Sequence, residues 1–213
     1  MKWLNFKPAL LAVCIMIFSV TTSKAQEEYK ENVQSYVSQW NKLIPRYFKA
    51  QYAGGMGLFA LGTGWDYGRK KQWESDILVG WVPKYSSDRS KVIFTLKQNY
   101  IPWSVKINKD FILRPLHTGL YVNSIIGRDY WVSEPEKYPN SYYAFSTKLR
   151  FNVFVGQQIT YIIPHKERTY GKSATFYYEI SSNDLYILSA AKNSYLKPDD
   201  YLRLSFGVKF QVL

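Results

Sequence analysis

The sequence predicts an all-β protein: an eight-stranded antiparallel transmembrane β-barrel with a short N-terminal amphipathic helix. Three observations carry that expectation. From about residue 53 to the end, segments of period-two alternation follow one another, separated by turn chemistry rather than by helical spacing. One face of each segment is large and apolar, with Tyr, Trp and Phe making up 18% of the chain, while the other mixes Gly, Ser, Thr and Asn with charges of both signs. After residue 25 no stretch is apolar for the length of a spanning helix, which leaves a closed barrel as the spanning structure.

The elements follow in order. Residues 1–25 carry Lys2 and Lys7, an apolar run from Pro8 to Val20 and a small-residue exit at Ser23-Lys24-Ala25. This is the pattern of a cleaved secretory signal, with an apolar run too short for a membrane anchor. The single cysteine, Cys14, falls inside it, so the exported chain relies on burial and backbone pairing rather than disulfides. Residues 26–49 form the expected periplasmic helix: Tyr29, Val33, Tyr36, Val37, Trp40, Leu43 and Ile44 recur at helical spacing before Pro45. Such a helix can lie in a membrane interface or pack on the barrel that occupies 50–213.

The first expected strand is the glycine-rich "MGLFALGTGW", and the second is "WESDILVGWVP", with Trp73, Ile77, Val79 and Trp81 opposite Glu74, Asp76 and Gly80. The third, "KVIFTLKQNY", sets Val92, Phe94, Leu96 and Tyr100 against Lys91, Thr95, Lys97 and Asn99. In the fourth, Leu116, Leu120, Val122 and Ile126 oppose His117, Gly119, Tyr121 and Asn123. The fifth sets Phe145, Leu149, Phe151, Val153 and Val155 against Ser146, Lys148, Arg150 and Asn152. "SATFYYEI" and "DLYILSAA" are expected to form a hairpin around Ser182-Asn183, and "YLRLSFGVKFQVL" closes the sheet with Arg203 and Lys209 inward.

Which face meets water decides between a soluble and a membrane barrel. Trp73 and Trp81 are eight residues apart on one face, about 26 Å along a strand, the separation of two interfacial aromatic girdles. The connections "KYSSDRS" and "SSND" are short, and those around "GWDYGRKKQ", "IPWSVKINKDF" and "PHKERTYGK" are longer and basic, although 128–142 falls by parity on the short side. With these features the chain resembles the small single-chain outer-membrane β-barrels of Gram-negative bacteria. The resemblance implies an outer-membrane location, a last strand read by the barrel assembly machinery, and a monomer. Phe206, Phe210 and Val212 would supply that signal, with Leu213 in place of the usual terminal aromatic. In outline the chain is similar to the lipid A palmitoyl transferase and deacylase barrels. Their catalytic motifs are not matched, since Gly119 stands where the deacylase has its serine.

The expected function is a non-enzymatic surface or envelope barrel with a structural or binding role, because eight strands leave no room for a diffusion pore. The alternative is a lipid A-modifying enzyme, an acyl transferase or deacylase. Its candidate catalytic residues are His117 with Asp76 or Glu74 as orienting carboxylate and Ser104 or Thr118 as the hydroxyl. Against it stands an Asp76–Lys97 pair with His117 as a hydrogen-bonded lumen residue. The net charge of +12 falls to +9 once Lys2, Lys7 and Lys24 leave with the signal. In an exported protein this favours anionic lipid or polysaccharide over nucleic acid as partner. Arg69, Lys70 and Lys71, with Lys166, Arg168 and Lys172, are the candidate lipopolysaccharide-binding clusters, expected to face outward and hold phosphate groups. No metal-ligand cluster, cofactor motif or internal repeat is present in the pattern.

Overall fold

A computed structural model describes residues 29–84, 89–126, 148–193 and 195–212. The expected signal at 1–25 and most of the 127–148 connection, including Phe145 and Ser146, lie outside them. The chain divides into two units, Met1–Ile44 and Pro45–Leu213. In the first, helix α1 spans 29–43. Its apolar stripe is exposed, with Tyr36 and Trp40 edge to face at 5.9 Å.

The second unit contains β1 (Tyr47–Ala53), β2 (Phe59–Tyr67), β3 (Trp73–Val82), β4 (Lys91–Tyr100), β5 (Val105–Lys106), β6 (Phe111–Ile126), β7 (Leu149–Ile162) and β8 (Ser173–Asn183). Helices α2 (Asp184–Lys192) and α3 (Pro198–Tyr201) then precede β9 (Arg203–Gln211). Every pairing is antiparallel, β4 joins β6, and β1 pairs with both β2 and β9, so eight strands close into a barrel. β5 is a two-residue tab on β6 outside that ring. Closure pairs every barrel strand on both sides and removes the open edge that a sheet of this length would otherwise present.

Eight strands are what the alternation predicts, but two of them differ in identity. "YFKAQYA" forms β1, so the expected first strand is the second in the barrel. Both faces of this segment carry aromatics, Tyr47 inward and Phe48 and Tyr52 outward, which masks its alternation. "DLYILSAA" is not a strand: Asn183 ends β8 and its side chain accepts from the Tyr186 N–H, capping α2. The expected hairpin around Ser182-Asn183 is therefore a strand-to-helix junction. β6 is irregular between Arg114 and His117, where Pro115 cannot donate to the ladder.

The extra first strand, and the loss of "DLYILSAA" as a strand, leave the three basic connections together at one end, as expected, but bring the start of the first strand and the end of the last to that same end. β1 begins and β9 ends at the terminal end, together with the 68–72, 101–110 and 163–172 connections. The opposite end, here the loop end, has 54–58, 83–90, 127–148 and 184–202. The basic connections thus lie with the termini, and the longest ones lie opposite them.

Candidate functional site

The outer wall is carbon. Leu61 is 67% exposed, Phe151 61% and Phe48 59%, with Val79, Leu96, Leu120, Val153 and Phe206 among their exposed neighbours. Aromatic residues gather at the two ends of this wall. Trp73 packs on Tyr100 at 4.5 Å and Phe111 on Tyr161 at 5.2 Å at the terminal end, while Tyr52 packs on Phe59 at 5.2 Å, with Trp81 laddered to Phe59, at the loop end. Trp73 and Trp81 both point outward, on one face of β3 as the spacing predicts.

The interior is ionic. Three carboxylates, Glu74, Asp76 and Glu179, and three lysines, Lys49, Lys97 and Lys209, are each at most 3% exposed. Lys49 Nζ donates to Asp76 Oδ2 at 2.6 Å and to Glu74 Oε2 at 3.4 Å, and Lys209 Nζ donates to Glu74 Oε1. Lys97 Nζ donates to Glu179 Oε1 at 2.5 Å and stands 4.0 Å from the centre of the Phe154 ring. Tyr47 donates its hydroxyl to Asp76 Oδ1 at 2.5 Å, and Tyr177 donates to Gln51 Oε1 at 3.1 Å. Arg114 Nη1, partly buried, lies 3.8 Å from Glu74 and donates to Gln158 at 3.1 Å. Isolated charges could not be held so far from water; paired and hydrogen-bonded ones can.

At the loop end the interior is closed by the chain itself. After Ala53, at φ 61°, the turn Gly54–Met56 folds into the barrel mouth. Met56 is wholly buried against Ala60, Leu78, Tyr121 and Phe154, and the Gly55 carbonyl accepts from Asn123 Nδ2 at 2.6 Å. Gly80 makes room for this turn, because a Cβ there would overlap the Met56 carbonyl oxygen. The interior is a packed polar core with an apolar cap.

The predicted site residues fall into this frame as follows. His117, Asp76 and Glu74 all face inward and are wholly buried. His117 does not pair with either carboxylate: Asn99 stands between. Asn99 Nδ2 donates to Asp76 Oδ2 at 2.8 Å and to the Glu74 carbonyl at 3.0 Å, leaving its Oδ1 to accept from His117 Nε2–H at 3.0 Å. The carboxylate nearest to His117 is Glu179, 3.4 Å from Nδ1 without a hydrogen bond between them. Neither expected hydroxyl meets the ring: Thr118 donates to the Phe154 carbonyl, and Ser104 is exposed in the connection after β4. The three residues have the composition of a nucleophile-activating set, but among the described residues none of their side chains hydrogen-bonds a serine or threonine hydroxyl.

Asp76 and Lys97 are ladder partners, as expected, yet each forms its ion pair elsewhere, with Lys49 and Glu179 respectively. Lys209 points inward as expected, but Arg203 does not: it is exposed at the rim, donating to the Tyr186 hydroxyl at 3.4 Å. The sequence reasoning missed Tyr47, Lys49 and Glu179. The signal for Lys49 and Glu179 was the one that found Lys209: a lone charge within an alternating segment. Arg69, Lys70, Lys71, Lys166 and Lys172 are exposed and Arg168 half-buried, all at the terminal end. Among the described residues no group of three His, Cys, Asp or Glu side chains is arranged to hold a metal ion.

No family model, no curated protein and no solved structure matches this chain. Its class is therefore defined by fold and interior: a closed, eight-stranded antiparallel β-barrel filled by an ionic network and jacketed in apolar side chains.

Proposed function

We propose that this protein is an exported outer-membrane β-barrel with a structural or binding role in the cell envelope, not a pore. The observation that carries this reading is the inversion of the two faces. A barrel with Lys49, Glu74, Asp76, Lys97, Glu179 and Lys209 inside and Leu61, Leu96, Leu120, Phe151 and Phe206 outside matches a hydrocarbon surrounding and opposes an aqueous one. Among the described residues the paired lumen charges and the inward Gly54–Met56 turn fill the barrel interior, which argues against transport. The burial of His117, with neither Thr118 nor Ser104 hydrogen-bonded to it, gives no support to lipid A acyl transfer or deacylation.

Short periplasmic turns and longer outer loops are the habit of such barrels. By that rule the loop end, with 127–148 and 184–202, faces outward to lipopolysaccharide. The terminal end faces the periplasm, where the closing strand β9 is delivered by the barrel assembly machinery. Closure leaves no barrel strand with a free edge for pairing with a second copy, which is compatible with a monomer.

The test is depth-resolved. Variants retaining Trp73 or Trp81 as the sole tryptophan are folded into vesicles of lipids brominated at different acyl positions. Both tryptophans should be quenched most by bromines near the headgroups, and a scan of outward positions between them should peak near the bilayer centre. A chain that stays soluble without detergent and shows no quenching would end the reading.

A further inference from the structure

The terminal end of the barrel carries a second feature besides its aromatic collar. Immediately beyond the outward Tyr67, Trp73, Tyr100, Phe111 and Tyr161, the connections hold Arg69 and Lys70 after β2, Lys106 and Lys109 around the β5 tab, and Lys166 and Lys172 between β7 and β8. All six are exposed, and among the described residues none has a carboxylate within ion-pair distance. The carboxylates at this rim are few. Asp66 is occupied by Arg46 at 3.3 Å and Lys71 at 2.9 Å, and Asp110 and Glu167 are the other carboxylate side chains there among the described residues. Trp103, 60% exposed, lies in the same rim.

We propose that this rim is an anion-binding collar for the phosphates of glycerophospholipids in the leaflet facing the chain termini, rather than for lipopolysaccharide. The proposal rests on the membrane reading above and names the lipid that one end recruits. The depth of the cations carries it. Aromatic side chains prefer the headgroup level, so lysine and arginine placed just past them reach phosphate oxygens while their alkyl stems stay along the apolar wall. Six cations without protein carboxylates are free to form charge-assisted hydrogen bonds to phosphate. Cations near an anionic surface each contribute about a fivefold preference at moderate salt, and screening removes it as the Debye length shrinks. The source follows from topology: the longest connections mark the opposite end as the outer one, so this collar meets the phospholipid leaflet.

The folded barrel in detergent is offered equimolar phosphatidylglycerol and phosphatidylcholine, and bound lipid is counted by native mass spectrometry. The wild type should favour phosphatidylglycerol at least about fivefold, and the preference should decline as salt rises. Replacing Arg69, Lys70, Lys106, Lys109, Lys166 and Lys172 by Gln should bring the ratio close to one. Replacing Lys84, Lys192 and Lys197 at the loop end should leave it unchanged. Should the six-fold variant fail to fold, judged by heat-modifiable gel mobility, the triple Lys106, Lys166 and Lys172 variant gives the same readout at partial effect. Equal binding of both lipids by the wild type, an unchanged preference in the terminal-end variants, equal loss from the loop-end variant, or a stronger preference for lipid A in a parallel competition would each overturn the proposal. If the tryptophans show no bilayer quenching, the membrane reading itself has failed, which the lipid counts alone cannot mimic.

Discussion

Leu96 and Lys97 are neighbours in β4, and the two sides of this protein differ as those two residues do. Leu96 stands on the outer wall, half exposed, while Lys97 lies 3% exposed between Glu179 and the face of Phe154. In a water-soluble barrel their places would be exchanged. In the proposed membrane setting the wall would tolerate substitution so long as it remains apolar, because lipid tails fill any shape. The lumen does not, because each charge there has a particular partner and lies beyond the reach of bulk solvent. Stability is diffuse outside and specific inside.

The largest effect expected from breaking this contrast is at Glu74, which serves both Lys49 and Lys209. Glu74→Ala leaves Lys209 buried without its carboxylate and should destabilise the barrel by about 3–5 kcal/mol, read by denaturant unfolding in lipid vesicles. Leucine at both Glu74 and Lys209 should recover most of that loss, and a double variant no better than the single one would show that the pair is not the unit. Next comes the wall. Leu96→Arg sets a charge near the middle of the apolar belt and should cost about 2–4 kcal/mol in the same assay, whereas an outer wall facing water would accept it with little change.

A smaller and more local effect is expected where the lumen is capped. Gly80→Val pushes a side chain into the Met56 carbonyl, with a loss of about 1–3 kcal/mol. Raised amide exchange across Gly54–Met56, with the ladder at Glu74 and Asn99 still protected, would place the loss at the cap. Smallest is Asn183→Ala, which removes the side-chain acceptor at the start of α2. It should cost about 1 kcal/mol and speed exchange in α2 alone; faster exchange in β7 or β8 would show that the helix braces the barrel.

The contrast between the two faces was legible in the sequence because alternation is local: Trp73, Ile77, Val79 and Trp81 against Glu74, Asp76 and Gly80 need only one strand to be seen. β1 escaped because an inward tyrosine and a lysine stem look as bulky as the outward Phe48. α2 was mistaken for a strand because its apolar run is as short as one, although Asn183 followed by Asp184 is the capping chemistry of a helix start. The ion pairs were not legible at all. Lys97 and Glu179 are separated by 82 residues and Lys209 and Glu74 by 135, and such distances are bridged only by how far the strands shear as the barrel closes. His117 drew attention as a rare residue type. Its histidine chemistry was visible, but its enclosure by Asn99, Phe154 and Tyr177 required the whole ring of strands.

The seam between β1 and β9 has one more consequence. Lys49 and Lys209 sit opposite each other across it, and both reach Glu74 on β3. Sliding β9 by one residue would turn Lys209 out among the wall's hydrocarbons and bring Val208 and Phe210 against the carboxylates. The final strand therefore carries its own alignment key: a one-residue slip strands an ammonium on the wrong side, and the native alignment holds it on its carboxylate.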